Sequence, residues 1–142
     1  MKRIIFIIVF VTSINIAAQT TDSNLDGMIF RGKATEQTPP DIDRMPLVYD
    51  EVIRFENGII NSEVLKVYSV NDSKYSSEAD LGRMIAVKVV KFNTSSAGNI
   101  NGSDVIIEFN GNIYADLKLS GDLIVRYPDK SEVKFLIEAS LE

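Results

Sequence analysis

The chain holds no cysteine and no histidine. Without cysteine it has no disulfide staples, no thiol nucleophile and no cysteine-borne lipid anchor. Without histidine it also lacks the commonest general base, and zinc sites built on nitrogen or sulfur are excluded. A serine nucleophile would need lysine or an unusual base, and no nucleophile elbow is present. No phosphate-binding glycine loop occurs, because Gly98 and Gly102 lack a strand–turn–helix context. Basic residues are few, 15 Lys and Arg against 20 Asp and Glu for a net charge of −5. An acidic chain without a basic cluster argues against nucleic acid and against anionic membrane surfaces as partners. Asp41 and Asp43 stand two apart in a loop but fall short of the oxygen set of an EF-hand, so no metal and no cofactor is expected.

Long apolar runs are missing too. Met1-Lys2-Arg3 is followed by the apolar Ile4–Val11 and then by small and polar residues to Gln19. A basic start, a short apolar core and small residues before a polar segment predict a signal peptide over residues 1–18, cut after Ala18. The apolar run is shorter than the roughly 20 residues of a membrane span, and no later stretch supplies one. Residues 19–142 then form a single exported domain, periplasmic or secreted, with no membrane span after cleavage. Its stability must come from burial and a well-satisfied sheet.

What the chain has in abundance is alternation. From Ser103 to Leu141 the odd positions are nearly all apolar, among them Val105, Ile107, Phe109, Ile113, Leu117 and Leu119, then Leu123, Val125, Tyr127, Val133, Phe135 and Ile137. Glu108, Asp116, Lys118, Asp122, Arg126, Lys134 and Glu138 fall between them. This period of two predicts antiparallel strands with one buried and one wet face. Parity requires turns of odd length, or a bulge, and Tyr114-Ala115-Asp116 and Asp129-Lys130-Ser131 fit loops of three residues or slightly more. Gly111 and Gly121, paired across the sheet, mark either a bend or a tolerated small residue.

Upstream, Met28–Thr35 reads as a first strand, and Gln37–Pro46 as a loop with three of the four prolines. Asn57-Gly58 predicts a type I′ hairpin joining Leu47–Phe55 to Ile59–Tyr68. Lys74–Glu78 suggests a short strand. Gly82–Asn93 suggests another, with Ile85, Val87 and Val89 inward and a bulge where Phe92 breaks the phase. Asn93–Gly102 has the composition of an exposed loop. No helix is expected. The sum is an all-β, single antiparallel up-and-down barrel of about eight strands, with a β-sandwich as the alternative.

"FNGNIYADLKLSGDLIV" (Phe109–Val125) resembles the aromatic-x-Gly-x-apolar, Gly/Ala-Asp, apolar-x-x-x-Gly pattern of small exported bacterial lipocalin-like β-barrels. "DEVIRFENGIINS" (Asp50–Ser62) resembles their strand pair of aspartate, apolar residue, phenylalanine, turn glycine and serine. The two segments come in the same order and cover about a quarter of residues 19–142. The chain departs from the pattern at Phe109, where tryptophan is expected, and has no cysteine after Ser62. The resemblance implies a barrel; most such proteins have no assigned function, so it carries no catalytic residue across.

The hairpin register puts Tyr49, Glu51, Lys66 and Tyr68 on the core face, at the end away from Asn57-Gly58. A buried unpaired charge costs several kcal/mol, so Glu51 and Lys66 must pair or reach a wet rim. Two readings stay open: a rim ion pair or outward bulge, or a polar mouth that orients a ligand over an apolar cavity. On the second, these four residues bind the ligand. Paired carboxylates could support glycoside hydrolysis, but Glu108, Asp116, Asp122, Glu132 and Glu138 all fall on the wet face. The expectation is an exported non-enzymatic binding module, carrying a small apolar ligand or, alternatively, engaging a protein or glycan through a dry-cored barrel. A carboxylate-based hydrolase comes last.

Overall fold

The computed structural model describes residues 24–37, 43–81 and 88–142. The expected leader at 1–18 lies outside these residues, as do Asp41, Ile85 and Val87. Eight strands close one antiparallel barrel in sequence order: β1 (Ile29–Glu36), β2 (Val48–Glu56), β3 (Ile59–Asn61), β4 (Ser73–Leu81), β5 (Lys88–Ile100), β6 (Ser103–Ile113), β7 (Lys118–Arg126) and β8 (Glu132–Leu141). β8 returns to β1 from Phe30↔Leu141 to Glu36↔Phe135, so the sheet has no outer strand. The sandwich alternative is thereby excluded.

The alternation of the last three strands translates directly into depth. Ile107, Phe109, Leu119, Leu123, Val125, Phe135 and Ile137 are each at most 1% exposed. Around them the rings of Phe30, Phe55, Tyr75, Phe92 and Phe109 meet edge to face, with Phe55 and Phe92 centred 5.2 Å apart and Phe92 and Phe109 5.1 Å apart. Leu25 plugs the lower end at 2% exposure. Its N–H donates to the Tyr75 hydroxyl at 3.1 Å, and that hydroxyl donates to Asp26 at 3.0 Å.

Several sequence expectations give way. Asn57 and Gly58 form the predicted turn, with φ of 53° and 74°, and Phe55 faces Ile60. Pairing stops at Asn61, however, and Glu63–Val67 is a short helix, α1, capped by Ser62. The expected partners Glu51↔Val64 and Tyr49↔Lys66 therefore do not exist. Ser-Glu at Ser62-Glu63 is a helix-start pair, since the serine oxygen accepts the Leu65 N–H at 3.3 Å.

The expected loop at Asn93–Gly102 is instead the second half of β5. Its register with β6 is unbroken from Val90↔Ile113 to Ile100↔Ser103, with no bulge at Phe92. Phe92 and Thr94 face inward, so the even positions, not Val89, line the core. Polar residues can occupy a strand whose backbone is paired, here to β6 throughout and to β4 as far as Thr94. The turn is confined to Asn101 and Gly102, with φ of 51° and 82°. The other two hairpins keep the predicted odd parity but shift by one residue. Tyr114 donates to the Lys118 carbonyl at 2.9 Å and Tyr127 to that of Ser131 at 3.0 Å, leaving three-residue loops that end on Leu117 and Lys130 at positive φ. Leu117, expected inward, is 47% exposed.

Candidate functional site

The upper end of the barrel gathers the two buried carboxylates of the described residues, Glu36 and Glu51. With β3 only three residues long, β2 stays paired to β1 but has no strand partner on its β3 side beyond Arg54, and α1 packs there instead. Glu51, inward on β2 and 1% exposed, accepts the N–H of Glu63 at 2.7 Å and that of Val64 at 3.2 Å. The carboxylate thus supplies acceptors for the first turn of the helix, which has no acceptors of its own. Burial raises the Glu51 carboxyl above its ordinary value, the two N–H groups and Ser62 work against that, and the nearby Glu63 adds to it.

Lys66 goes elsewhere. It lies exposed on α1 and bonds Glu63 at 2.7 Å, one turn back along the helix. Of the four predicted site residues the structure brings Tyr49, Glu51 and Tyr68 to the inner upper end and turns Lys66 to solvent. Tyr49 is half-buried against Phe135, ring centres 5.8 Å apart. Tyr68 is 4% exposed. Burial first, and then the neighbouring Tyr127, Tyr49 and Glu36, push its phenol well above the usual tyrosine range.

Glu36 and Tyr127 belong to this cluster and were not picked out as site residues. Tyr127 was already on the odd-position list. Glu36 was legible too, because Phe30, Ala34 and Glu36 continue one inward face when the first strand is extended by one residue. Glu36 is 3% exposed and accepts from Arg44 at 2.7 and 3.0 Å and from the Leu47 N–H at 2.9 Å. Burial disfavours its charge, but the Leu47 N–H and the Arg44 guanidinium outweigh that and hold the carboxyl below its ordinary value. The pair ties the loop before β2 to the end of β1.

No family model matches this chain, and no curated protein or solved structure does either. Its function has to be argued from the geometry alone.

That geometry is one of satisfied groups. Among the described residues no buried side-chain nitrogen or oxygen lacks a hydrogen-bond partner. The inward hydroxyls of Ser73, Thr94 and Ser96 bond one another, and Thr94 also donates to the Lys74 carbonyl at 2.6 Å. Nor do three or more acidic side chains converge among these residues to hold a metal ion. Among the described residues, three grooves open to solvent. One groove of about 760 Å³ runs along the upper rim beside Val105, Ile106, Tyr127 and Pro128. Another of about 590 Å³ lies below, between the β6–β7 turn and the outer faces of β8 and β1, and a third of about 320 Å³ crosses β5, β6 and β7.

Proposed function

We propose that this chain is an exported, non-enzymatic β-barrel binding module whose interior is filled and whose partner engages the outer surface. The observation that carries this is the depth of the inward residues. A hollow able to admit even water would leave accessible surface on its lining, yet Phe30, Ile53, Phe55, Leu123, Phe135 and Ile137 have at most 1%. An eight-stranded barrel is of a size that side chains alone can fill. Satisfied polar groups at the upper end support the same reading, since Glu51 and Glu36 are already fully engaged by the chain itself. The basic, apolar and small-residue order of Met1–Ala18 supports export, and the closed up-and-down order agrees with the lipocalin-like resemblance.

The test is titration with a fluorescent fatty-acid probe, alongside native mass spectrometry of the protein as isolated. The expected result is no co-purified ligand and no saturable binding by the wild type, with uptake only by Phe135→Ala, which opens space beside Tyr49. Saturable binding of one probe per wild-type chain would restore the apolar-carrier reading.

A further inference from the structure

The outer face of β6–β8 carries a belt of hydrogen-bonding side chains that the protein does not use. Asn112 faces Ser120, and Ser120 faces Glu138, in one row across three strands. In the adjoining row Asn110 faces Asp122. None of these five side chains makes a hydrogen bond or ion pair among the described residues. Several charges elsewhere on the outer face are paired: Lys33 with Asp50 at 2.9 Å, Arg126 with Glu108 at 2.7 Å, and Arg31 with Glu142 at 3.0 Å. Lys33 stands directly opposite Glu138 in the register, yet it bonds Asp50 on the other side.

The belt is also concave. The two lower grooves meet at Ser120, which lines both. Tyr114, 40% exposed, stands in the wall of the larger one.

The chemistry of the belt selects its occupant. Carboxamides and a serine hydroxyl each donate and accept, and carboxylates accept, which complements a ligand whose own groups are hydroxyls. An exposed tyrosine offers an apolar ring face with a polar tip, suited to the C–H face of a sugar ring. Strands lie about 4.8 Å apart, close to the length of one pyranose unit, so successive side chains in a row meet successive sugars. An acidic chain, net −5, repels polyanions.

We infer that the belt formed by Asn110, Asn112, Ser120, Asp122 and Glu138, with Tyr114 at its end, binds a neutral polysaccharide chain running across the strands. This rests on the proposed external mode of binding and gives it a ligand class.

The test is native electrophoresis through gels containing soluble β-glucan, galactomannan or xylan, with polygalacturonate as the anionic comparison. Wild-type protein is expected to be retarded in at least one neutral gel and not in polygalacturonate. Asn112→Ala, Asp122→Ala and Tyr114→Ala should each weaken retention by about fivefold, the worth of one hydrogen bond or ring contact, with unchanged melting temperature. Ile106→Ser, on the upper-rim groove, should leave retention as it is. Free migration of the wild type in all three neutral gels overturns the inference, as does retention that survives the belt substitutions or a preference for polygalacturonate. The fatty-acid titration reads the interior independently, so a failure here leaves the filled barrel standing.

Discussion

The Glu51 carboxylate accepts the backbone N–H of Glu63 at 2.7 Å, so a strand residue provides the acceptor that the start of α1 requires. Where β3 ends, this bond replaces a cross-strand pair and lets the barrel continue to β4 behind a single helical turn. It also places an ionisable group 1% exposed in the wall of the fold.

Glu51 and Glu36 should therefore give stability opposite dependences on pH. The folded carboxyl of Glu51 titrates above 4.5, so its contribution is full below the unfolded value and is lost as pH rises through the folded one. Glu36 titrates below 4.5, so its contribution is present above the unfolded value and is lost as pH falls through the folded one. Denaturant unfolding of wild type, Glu51→Gln and Glu36→Gln across this range checks the signs. The advantage of wild type over Glu51→Gln should shrink with rising pH above 4.5, while its advantage over Glu36→Gln should shrink with falling pH below 4.5. Parallel slopes for the two variants would contradict the assignment.

The two faces of the late strands should differ sharply in tolerance. Ile107 is 1% exposed, and Ile107→Asp would bury a charge with no partner, costing more than about 3 kcal/mol. Lys118 makes a solvent-exposed contact with Asp116 at 3.3 Å, and Lys118→Ala should change stability by less than about 0.5 kcal/mol. Chemical denaturation midpoints measure both, and similar values would refute the face assignment.

What could be read in the chain was the period of two in its last three strands. Ile107, Phe109, Leu119, Val125, Phe135 and Ile137 all lie where alternation put them, because a one-residue slip would expose every one of them. Composition misled where backbone pairing decides. Asn93–Ile100 looks like a loop by its serines and asparagines, but β6 pairs with it along its whole length, and β4 joins at Asn93 and Thr94. The three Asn-Gly pairs show the same limit. Asn57-Gly58 and Asn101-Gly102 turn, whereas Asn110-Gly111 runs straight through β6 because apolar residues on both sides stay in phase. At the upper end the tyrosines and Glu51 were legible as inward residues, but the escape of Lys66 was not. It depends on Ser62 starting a helix, a local signal that competed with an apolar run and won.

Gly111 should prove intolerant for a reason visible only in three dimensions. A Cβ there would lie 2.2 Å from the Phe92 ring. Gly111→Ala should lose about 1–3 kcal/mol through overpacking. Phe92→Leu, which removes the ring, should recover part of that loss in the double variant. A double-mutant cycle in denaturant measures the coupling; strict additivity would mean that the glycine is simply a tolerated small residue.

Leu117 offers the clearest discrimination between the register expected from spacing and the one observed. On the expected register it is a core residue, and Leu117→Gly would create a cavity and cost several kcal/mol, as other buried leucine truncations do. In the structure it closes the β6–β7 loop at φ 62°, is 47% exposed, and engages through its backbone, accepting from Leu141 at 3.0 Å and donating to Tyr114 at 2.9 Å. A left-handed conformation is strained for leucine and free for glycine, while glycine's looser unfolded chain offsets part of the relief. Leu117→Gly should accordingly raise stability by about 0.5–1 kcal/mol, read as a higher denaturation midpoint at unchanged slope. A loss of 2 kcal/mol or more, about the least that emptying a core leucine site costs, would show that Leu117 packs inward and that the hairpin is centred one residue earlier.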